Sequence, residues 1–481
     1  MKRPFVIASI CVLGSALSLS GQDYAQGPSN LPSTSTYAVD IQKPVDLQQR
    51  VEQLEAELSQ SELRLEALEA AAAPKEKEKP KYPTLNLSGV FQADAVMFHQ
   101  TDENRLAYGE IQNGADFRRA RLGAKGSVSD AMDYFMQMDF GSFGRPTFTD
   151  LWVDFKDATP FGTVRVGQWK QPFSLEVVSS FRYTTFMERS SLFQAFTPFR
   201  HLGIGFYDHS QDETMTWALS YLRTGQDQFG GSLSTDGGNG LAGRVTQLGW
   251  YDCQGTEYLH LGLGYFLNAP PDGHARFRSI PEIYVGDFAL PAGEPIGSSG
   301  QAIPTVAMGT PFFVDTGVLT DTSLVHTIGP EMLWVHGPLS VQSEFMGTYV
   351  DSGPSANGFL YGSYMQVGYF LTGEHRPYDR KAGTIDSVMP FESLSKKGGK
   401  GAWELAARWS YLDLTDRQIR GGELQDFTFG VNWYVNPYCK CVFNYIHSWA
   451  ESRPTRNGAI LNQDDISSQA DAFGLRCQID F

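Results

Sequence analysis

Residues 472–481 read AFGLRCQIDF. Phe473, Leu475, Cys477, Ile479 and Phe481 alternate with Gly474, Arg476, Gln478 and Asp480. Successive side chains of a β-strand point to opposite faces, so this segment reads as a strand with one apolar and one polar face. The pattern recurs upstream. Phe427, Phe429, Val431, Trp433 and Val435 alternate with Thr428, Gly430, Asn432 and Tyr434. Trp403, Leu405, Ala407, Trp409 and Tyr411 alternate with Glu404, Ala406, Arg408 and Ser410. Leu339, Val341, Phe345 and Tyr349 oppose Gln342, Glu344 and Thr348, and Leu85, Leu87 and Phe91 oppose Asn86, Ser88, Gln92 and Asp94.

Two architectures accommodate such strands. In a soluble sandwich the apolar faces pack on each other. In a membrane barrel they meet lipid and the polar faces surround water. The strands run to about ten residues, the length a tilted membrane crossing needs, and Trp and Tyr sit near their ends, as in an interfacial girdle. The stretch 84–481 holds 398 residues. At roughly 50 residues per hairpin, with a short turn and a long loop, it fits about 16 strands. The expected fold is an all-β transmembrane antiparallel barrel whose lumen is a water-filled channel. Gly-, Pro- and Ser-rich stretches 224–244, 268–324 and 372–402 are expected to be its long outer loops.

The rest of the chain agrees with export. Lys2 and Arg3 precede an apolar run, Phe5 to Leu19, and Ser18-Leu19-Ser20 offers small residues for cleavage, so 1–20 reads as a signal peptide. Residues 21–44 carry Pro, Ser, Thr and Gly without apolar period and read as disordered. In 45–69, Leu47, Val51, Leu54, Leu58, Ser61, Leu65 and Leu68 follow a 4-3 spacing, the seam of a coiled coil. Residues 70–83, AAAAPKEKEKPKYP, read as a stiff charged linker. Past the N-terminus no apolar run approaches the ~20 residues of a spanning helix. The formal charge of −16 argues against a nucleic-acid partner.

Chemistry-bearing motifs are sparse. GxSxG, HExxH and the phosphate-binding P-loop are absent, and the nine histidines show no metal-ligand spacing. The expectation is no enzyme, no cofactor and no metal. One GxGxxG, Gly238 to Gly243, lies in a Gly/Ser/Thr/Asp-rich run and reads as a flexible loop. Cys441 and Cys477 could lie opposite each other and form a disulfide; free thiols are the alternative.

The informative segment is 117–126, FRRARLGAKG. Ala120, Leu122 and Ala124 share one face; Arg119, Arg121 and Lys125 share the other. Turning these cations to lipid would cost roughly 2–4 kcal/mol each near the midplane, so they face the lumen. Arg165, flanked by Val164 and Val166, repeats the theme, and Lys170 follows. Rings of Arg and Lys make a pore favour anions. The alternative is pairing with lumen acids such as Asp139 and Asp154, leaving a balanced, nonselective lumen.

The ordered set FRRARLGAKG, TDLWVDFKD, VRVGQWKQPFSLE, FMERS and FRHLGIGFYD, followed by GAWELAARWSYLDLTD and FTFGVNWYVNP, resembles the phosphate-selective porin O and P family across 84–481. The resemblance implies a trimeric 16-stranded outer-membrane porin that passes anions such as phosphate. It further implies a lumen lined by Arg119, Arg121, Lys125, Arg165 and Lys170. Segment 172–200 would be an inward-folded loop bringing Arg182, Arg189 and Arg200, with a Glu188–Arg189 ion pair as a structural alternative. The coiled coil would trimerise the barrels or tether them to the cell wall. Rival readings are a nonselective diffusion pore and a structural anchor acting through the coiled coil.

Overall fold

The computed structural model describes residues 47–72, 81–141, 146–225, 235–286, 295–296, 301–302, 309–353, 357–453, 455–456, 459–460 and 464–481. The expected signal peptide, the disordered 21–44 and residues 73–80 of the linker lie outside them. The chain forms two units, 1–79 and 80–481. In the first, helix α1 spans Leu47–Ala72, with Val51, Leu54 and Leu58 of the apolar seam exposed.

The second unit is a closed barrel. Its first eight strands are β1 (Asn86–Gln100), β2 (Gly114–Ser129), β3 (Met132–Asp139), β4 (Thr147–Thr159), β5 (Gly162–Lys170), β6 (Arg200–His209), β7 (Met215–Arg223) and β8 (Asn239–Asp252). Then come β9 (Glu257–Ala269), β10 (Leu324–His336), β11 (Leu339–Asp351), β12 (Gly358–Phe370), β13 (Ala402–Asp416), β14 (Ile419–Asn436), β15 (Cys439–Ser452) and β16 (Ile466–Asp480). Each pairs antiparallel with its sequence neighbour, and β16 closes on β1, with Ala93 opposite Cys477 and Asp94 opposite Arg476. The expected count of sixteen strands holds. Closure leaves no unpaired edge in the hydrocarbon, the condition for strands to cross a bilayer.

The alternation falls as period two dictates. Leu475, Phe473, Trp403, Trp409, Phe427 and Phe345 are exposed on the outside. Gln92, Asp94, Glu404, Arg408, Thr428, Asn432 and Arg476 are buried inside. Aromatic residues ring both ends of the outer face. Phe161, Tyr438 and Phe481 belong to the end where β1 begins and β16 ends, and there Trp403 stacks on Trp433 at 5.4 Å. Tyr221, Tyr265, Tyr349, Phe359 and Trp449 belong to the other.

An even strand number returns the chain to its starting side. That side carries the tight turns 130–131, 160–161, 337–338 and 437–438, which marks it as periplasmic. Here an expectation fails. Residues 371–401 connect β12 to β13 on the periplasmic side, so they are not an outer loop. Composition marks a segment as irregular; only counting crossings assigns its side. Nor is Gly238–Gly243 a loop: Asn239 onward is β8, paired with β7 and β9. Within that strand a Cβ on Gly240 would come within 3.0 Å of the Phe266 ring on β9, a close approach that suits glycine. All four described cysteines are free thiols; Cys441 and Cys477 do lie opposite each other on β15 and β16.

Three segments fold back into the barrel. From the outer side come 171–199 and the paired stretches 276–286 and 309–316; from the periplasmic side comes 374–388. They bury Phe173, Leu175, Leu192, Phe196, Phe277, Ile283, Phe313, Tyr378, Ile385 and Val388, so the apolar core lies inside the barrel, against its wall. Wall glycines make room for it. Gly264 and Gly329 pair directly across β9 and β10, and a Cβ on either would come within 2.8 Å of the Phe173 ring. On Gly474 a Cβ would meet Met187 and Ile283 at 2.7 and 2.6 Å.

Candidate functional site

Strand β5 ends at Lys170 and the chain turns inward. Loop 171–199 crosses the lumen and lies against β13–β16. Buried polar side chains of that wall hold its backbone. Lys440 Nζ donates to the carbonyls of Arg182 and Thr184 at 3.3 and 2.8 Å. Asn432 Nδ2 donates to the Thr185 carbonyl at 2.8 Å, and Met187 N donates to Asn444 Oδ1 at 2.8 Å.

Ion pairs complete the attachment. Arg476 grips Asp94 through two bonds of 2.7 and 2.6 Å, reaches Glu188 at 2.7 Å and donates to the Met187 carbonyl. Arg408 donates to Glu282 at 2.7 Å, to Glu176 at 3.2 Å and to the Glu188 carbonyl at 3.1 Å, joining two inward segments at one guanidinium. The planar fork of arginine suits such multidentate roles. Glu188 also receives Arg118 (2.9 and 3.1 Å) and Arg119 (3.4 Å). Burial pushes Glu188 up, but Arg118, Arg119 and Arg476 outweigh it and hold the carboxyl well below its ordinary range. At Glu176 burial wins over Arg408, and the carboxyl titrates above its ordinary value.

Between the loop and the other wall, two cavities remain. One of about 330 Å³ is lined by Phe135, Asp150, Trp152 and Arg200 of β3, β4 and β6 and by Phe181 and Arg182 of the loop. The other, about 490 Å³, is bounded by β5–β8 and by Asp379, Lys381 and Ala382 of the periplasmic segment. Both are lined by Arg165, Trp169, Lys170 and Val178, so they adjoin. The smaller carries four cations, Arg165, Lys170, Arg182 and Arg200, against one carboxylate, Asp150.

These cations differ in engagement. Arg165 is bidentate to Asp154 (2.7 and 2.6 Å) and lies 3.7 Å over the Trp152 ring. Arg200 bonds Asp150 at 3.0 and 2.8 Å. Arg182 stands 3.9 Å from Asp480. The Lys170 ammonium is held by two neutral acceptors, the carbonyls of Val178 (3.1 Å) and Ser179 (2.6 Å). It forms no ion pair among the described residues.

The structure thus brings Arg165, Lys170, Arg182 and Arg200 together. Arg119 and Arg121 face inward as expected, but both are engaged. Arg119 bonds Gln92 and Glu188, Arg121 bonds Asp139 at 2.7 Å, and both lie over the Phe181 ring at 4.8 and 4.5 Å. Lys125 stands apart, opposite Asn86 at the periplasmic end of the wall. Arg189 does not pair with Glu188. Its guanidinium donates to the carbonyls of Glu176 and Ser179, and burial lowers it to about 10.

Sequence reading missed Arg118. Strict alternation would turn it outward, but the register shifts between Gln92, opposite Arg119, and Ala93, opposite Phe117. Arg118 is the extra residue of a bulge and points inward beside Arg119. Two consecutive arginines in a lipid-bounded strand were the available signal, since the bulge avoids placing one of them in oil. Arg408 and Arg476 were placed on the wet face, but their part in fixing the loop was not legible.

A sealed barrel wall, oily outside and charged inside, with water-accessible cavities beside an inward loop, has the architecture of an outer-membrane porin. The family model for phosphate-selective porin O and P matches residues 86–280 and 308–481. The chain belongs to that family. Porin O of Pseudomonas aeruginosa is 25% identical over 421 residues, covering 83% of this chain and 88% of that protein. An uncharacterised protein of Caulobacter vibrioides is 27% identical over 387 residues, 76% of this chain and 68% of that one. Among solved structures, the anion-selective porin from Comamonas acidovorans superposes with a TM-score of 0.49 at 12% identity, covering 83% of this chain and all of that one. The outer-membrane channel DcaP of Acinetobacter baumannii gives 0.46 at 11% identity, with 83% and 97% covered.

Proposed function

We propose that this porin passes small anions, phosphate among them, through the passage between loop 171–199 and strands β3–β8. The observation that carries this is the smaller cavity, whose wall sets four cations against one carboxylate and includes an ammonium bound only by carbonyls. A charge without a counter-charge leaves its field in the water of the passage, where it raises the local concentration of anions. In this reading Arg165, Lys170, Arg182 and Arg200 form the anion path. Arg119, Arg121 and Arg189 act on it indirectly, by holding the loop, and Lys125 sits at the periplasmic mouth. The test is the reversal potential of the purified protein in a planar bilayer under a potassium chloride gradient. A potential on the chloride side supports the reading; one near zero returns the nonselective pore.

A second reading concerns assembly. The exposed Val51, Leu54 and Leu58 of α1 favour association of its copies, and with it a homotrimer registered on the periplasmic side. A peptide of residues 45–69 should self-associate in sedimentation. A monomer at high concentration would leave the tether to the cell wall as the use of this helix.

A further inference from the structure

The periplasmic connection 371–401 has two parts. Residues 374–388 lie in the lumen. Residues 389–400, MPFESLSKKGGK, return over the rim and remain exposed. Met389, Phe391 and Leu394 are 61%, 70% and 50% exposed. Lys396, Lys397 and Lys400 follow within five positions, with Glu392 the one acid of the stretch. A turn, with Ser395 N donating to the Gly399 carbonyl and Gly398 N to that of Ser395, keeps the lysines together. None of the three makes an ion pair among the described residues.

The stretch is fixed at the membrane boundary. Leu394 N donates to the Val435 carbonyl at 2.8 Å. Trp433 donates its indole N–H to the Lys400 carbonyl at 2.8 Å, and Trp433 stacks on Trp403 in the periplasmic aromatic belt. Such belts sit at headgroup level. The exposed apolar side chains therefore continue a surface that already faces lipid, and the ammonium groups stand beside it at the depth of lipid phosphates. Clustered lysines next to a membrane boundary are attracted to acidic lipid. A molecule of net charge −16 has little reason otherwise to gather three unpaired lysines here.

We propose that segment 389–400 is a docking site for acidic phospholipid of the periplasmic leaflet. Lys396, Lys397 and Lys400 receive the headgroup phosphates; Met389, Phe391 and Leu394 sit among the upper acyl carbons. The occupant secures the outer part of the connection whose inner part lies in the lumen.

Native mass spectrometry of the purified full-length protein, given equal amounts of phosphatidylglycerol and phosphatidylcholine in detergent, tests this. The wild type should retain the acidic lipid in about tenfold excess, and the excess should shrink at high salt. The triple variant Lys396→Gln, Lys397→Gln, Lys400→Gln should retain the two lipids equally while keeping the wild-type conductance, which shows an intact barrel. Phe391→Ala with Leu394→Ala should lower retention of both lipids. Equal retention by the wild type, or an undiminished excess in the triple variant, overturns the proposal. Lysine-dependent binding to purified peptidoglycan without any lipid preference overturns it in favour of a cell-wall contact.

Discussion

The two halves of the barrel wall use the same residue types to opposite ends. Along β13–β16, Arg408, Lys440 and Arg476 are buried, and their donors end on backbone carbonyls and carboxylates of the inward segments. Along β3–β6, Arg165, Lys170 and Arg200 border open cavities. A cation in dry surroundings, whether its donors end on carboxylates or, as at Lys440, on carbonyls, attaches one segment to another. A cation beside water acts on what diffuses past, Lys170 most directly because its ammonium meets carbonyls and no carboxylate. The difference is decided by which wall loop 171–199 leans on. That in turn is decided by where glycines such as Gly430 and Gly474 leave room, since a Cβ there would meet Phe186 at 3.1 Å and Met187 at 2.7 Å.

The contrast breaks most visibly on the dry side. Arg476→Ala strands Asp94 and takes one of three arginines from Glu188, and Arg408→Ala strands Glu282 and Glu176. Removing one partner of a buried pair costs about 3–5 kcal/mol. Either variant should release the inward segments, giving a larger and noisier single-channel conductance and faster protease cutting within 171–199. A wild-type conductance would show that the loop is held by its apolar packing alone.

On the wet side, Lys170→Gln keeps the side chain's length and removes the charge. The anion-to-cation permeability ratio should fall roughly fivefold, about 1 kcal/mol for a charge a few ångströms from the permeating ion in a hydrated passage. Stability should change little, measured by the temperature at which the folded gel band is lost. An unchanged ratio would move the anion path elsewhere.

Arg119→Ala sharpens the contrast, because Arg119 faces inward yet belongs to the attached set. Its permeability ratio should stay within about twofold of wild type. Its resistance to unfolding should drop, since a buried charge-assisted bond contributes about 1.5–3 kcal/mol.

The smallest effect is that of pH. The Glu188 carboxyl titrates below its ordinary value because Arg118, Arg119 and Arg476 overcome the effect of burial. A depressed carboxyl gives its full stabilisation above the unfolded value, near 4.3, and loses it as pH falls through the lower folded value. Protease protection of the loop should therefore stay constant from neutral pH to about 5 and decline only in stronger acid. Glu188→Gln should remove that decline. A decline already centred near pH 6 would mean that Glu188 is not the controlling group.

How much of this was legible beforehand follows from the range of each interaction. The wet and oily faces of Phe427–Tyr434 and Phe473–Asp480 could be read directly, because period-two alternation against lipid is a local rule. Arg118 escaped because a bulge in β2 depends on its partner β1. The periplasmic placement of 371–401 escaped because side is a property of the whole count of crossings. Arg119 and Arg121 were placed on the correct face. Their state, engaged with Glu188, Gln92 and Asp139, depends on a loop some seventy residues away and on neighbouring strands.

Sequence alone therefore determined the class of structure. Alternating faces and enough chain for about 16 crossings leave a lipid-bounded barrel as the solution, because every backbone polar group in hydrocarbon must be paired. Only the tertiary structure decided which cations are neutralised and which meet water. That depends on how the inward segments fill a closed lumen, where one wall's glycines admit a side chain and the opposite wall is left open.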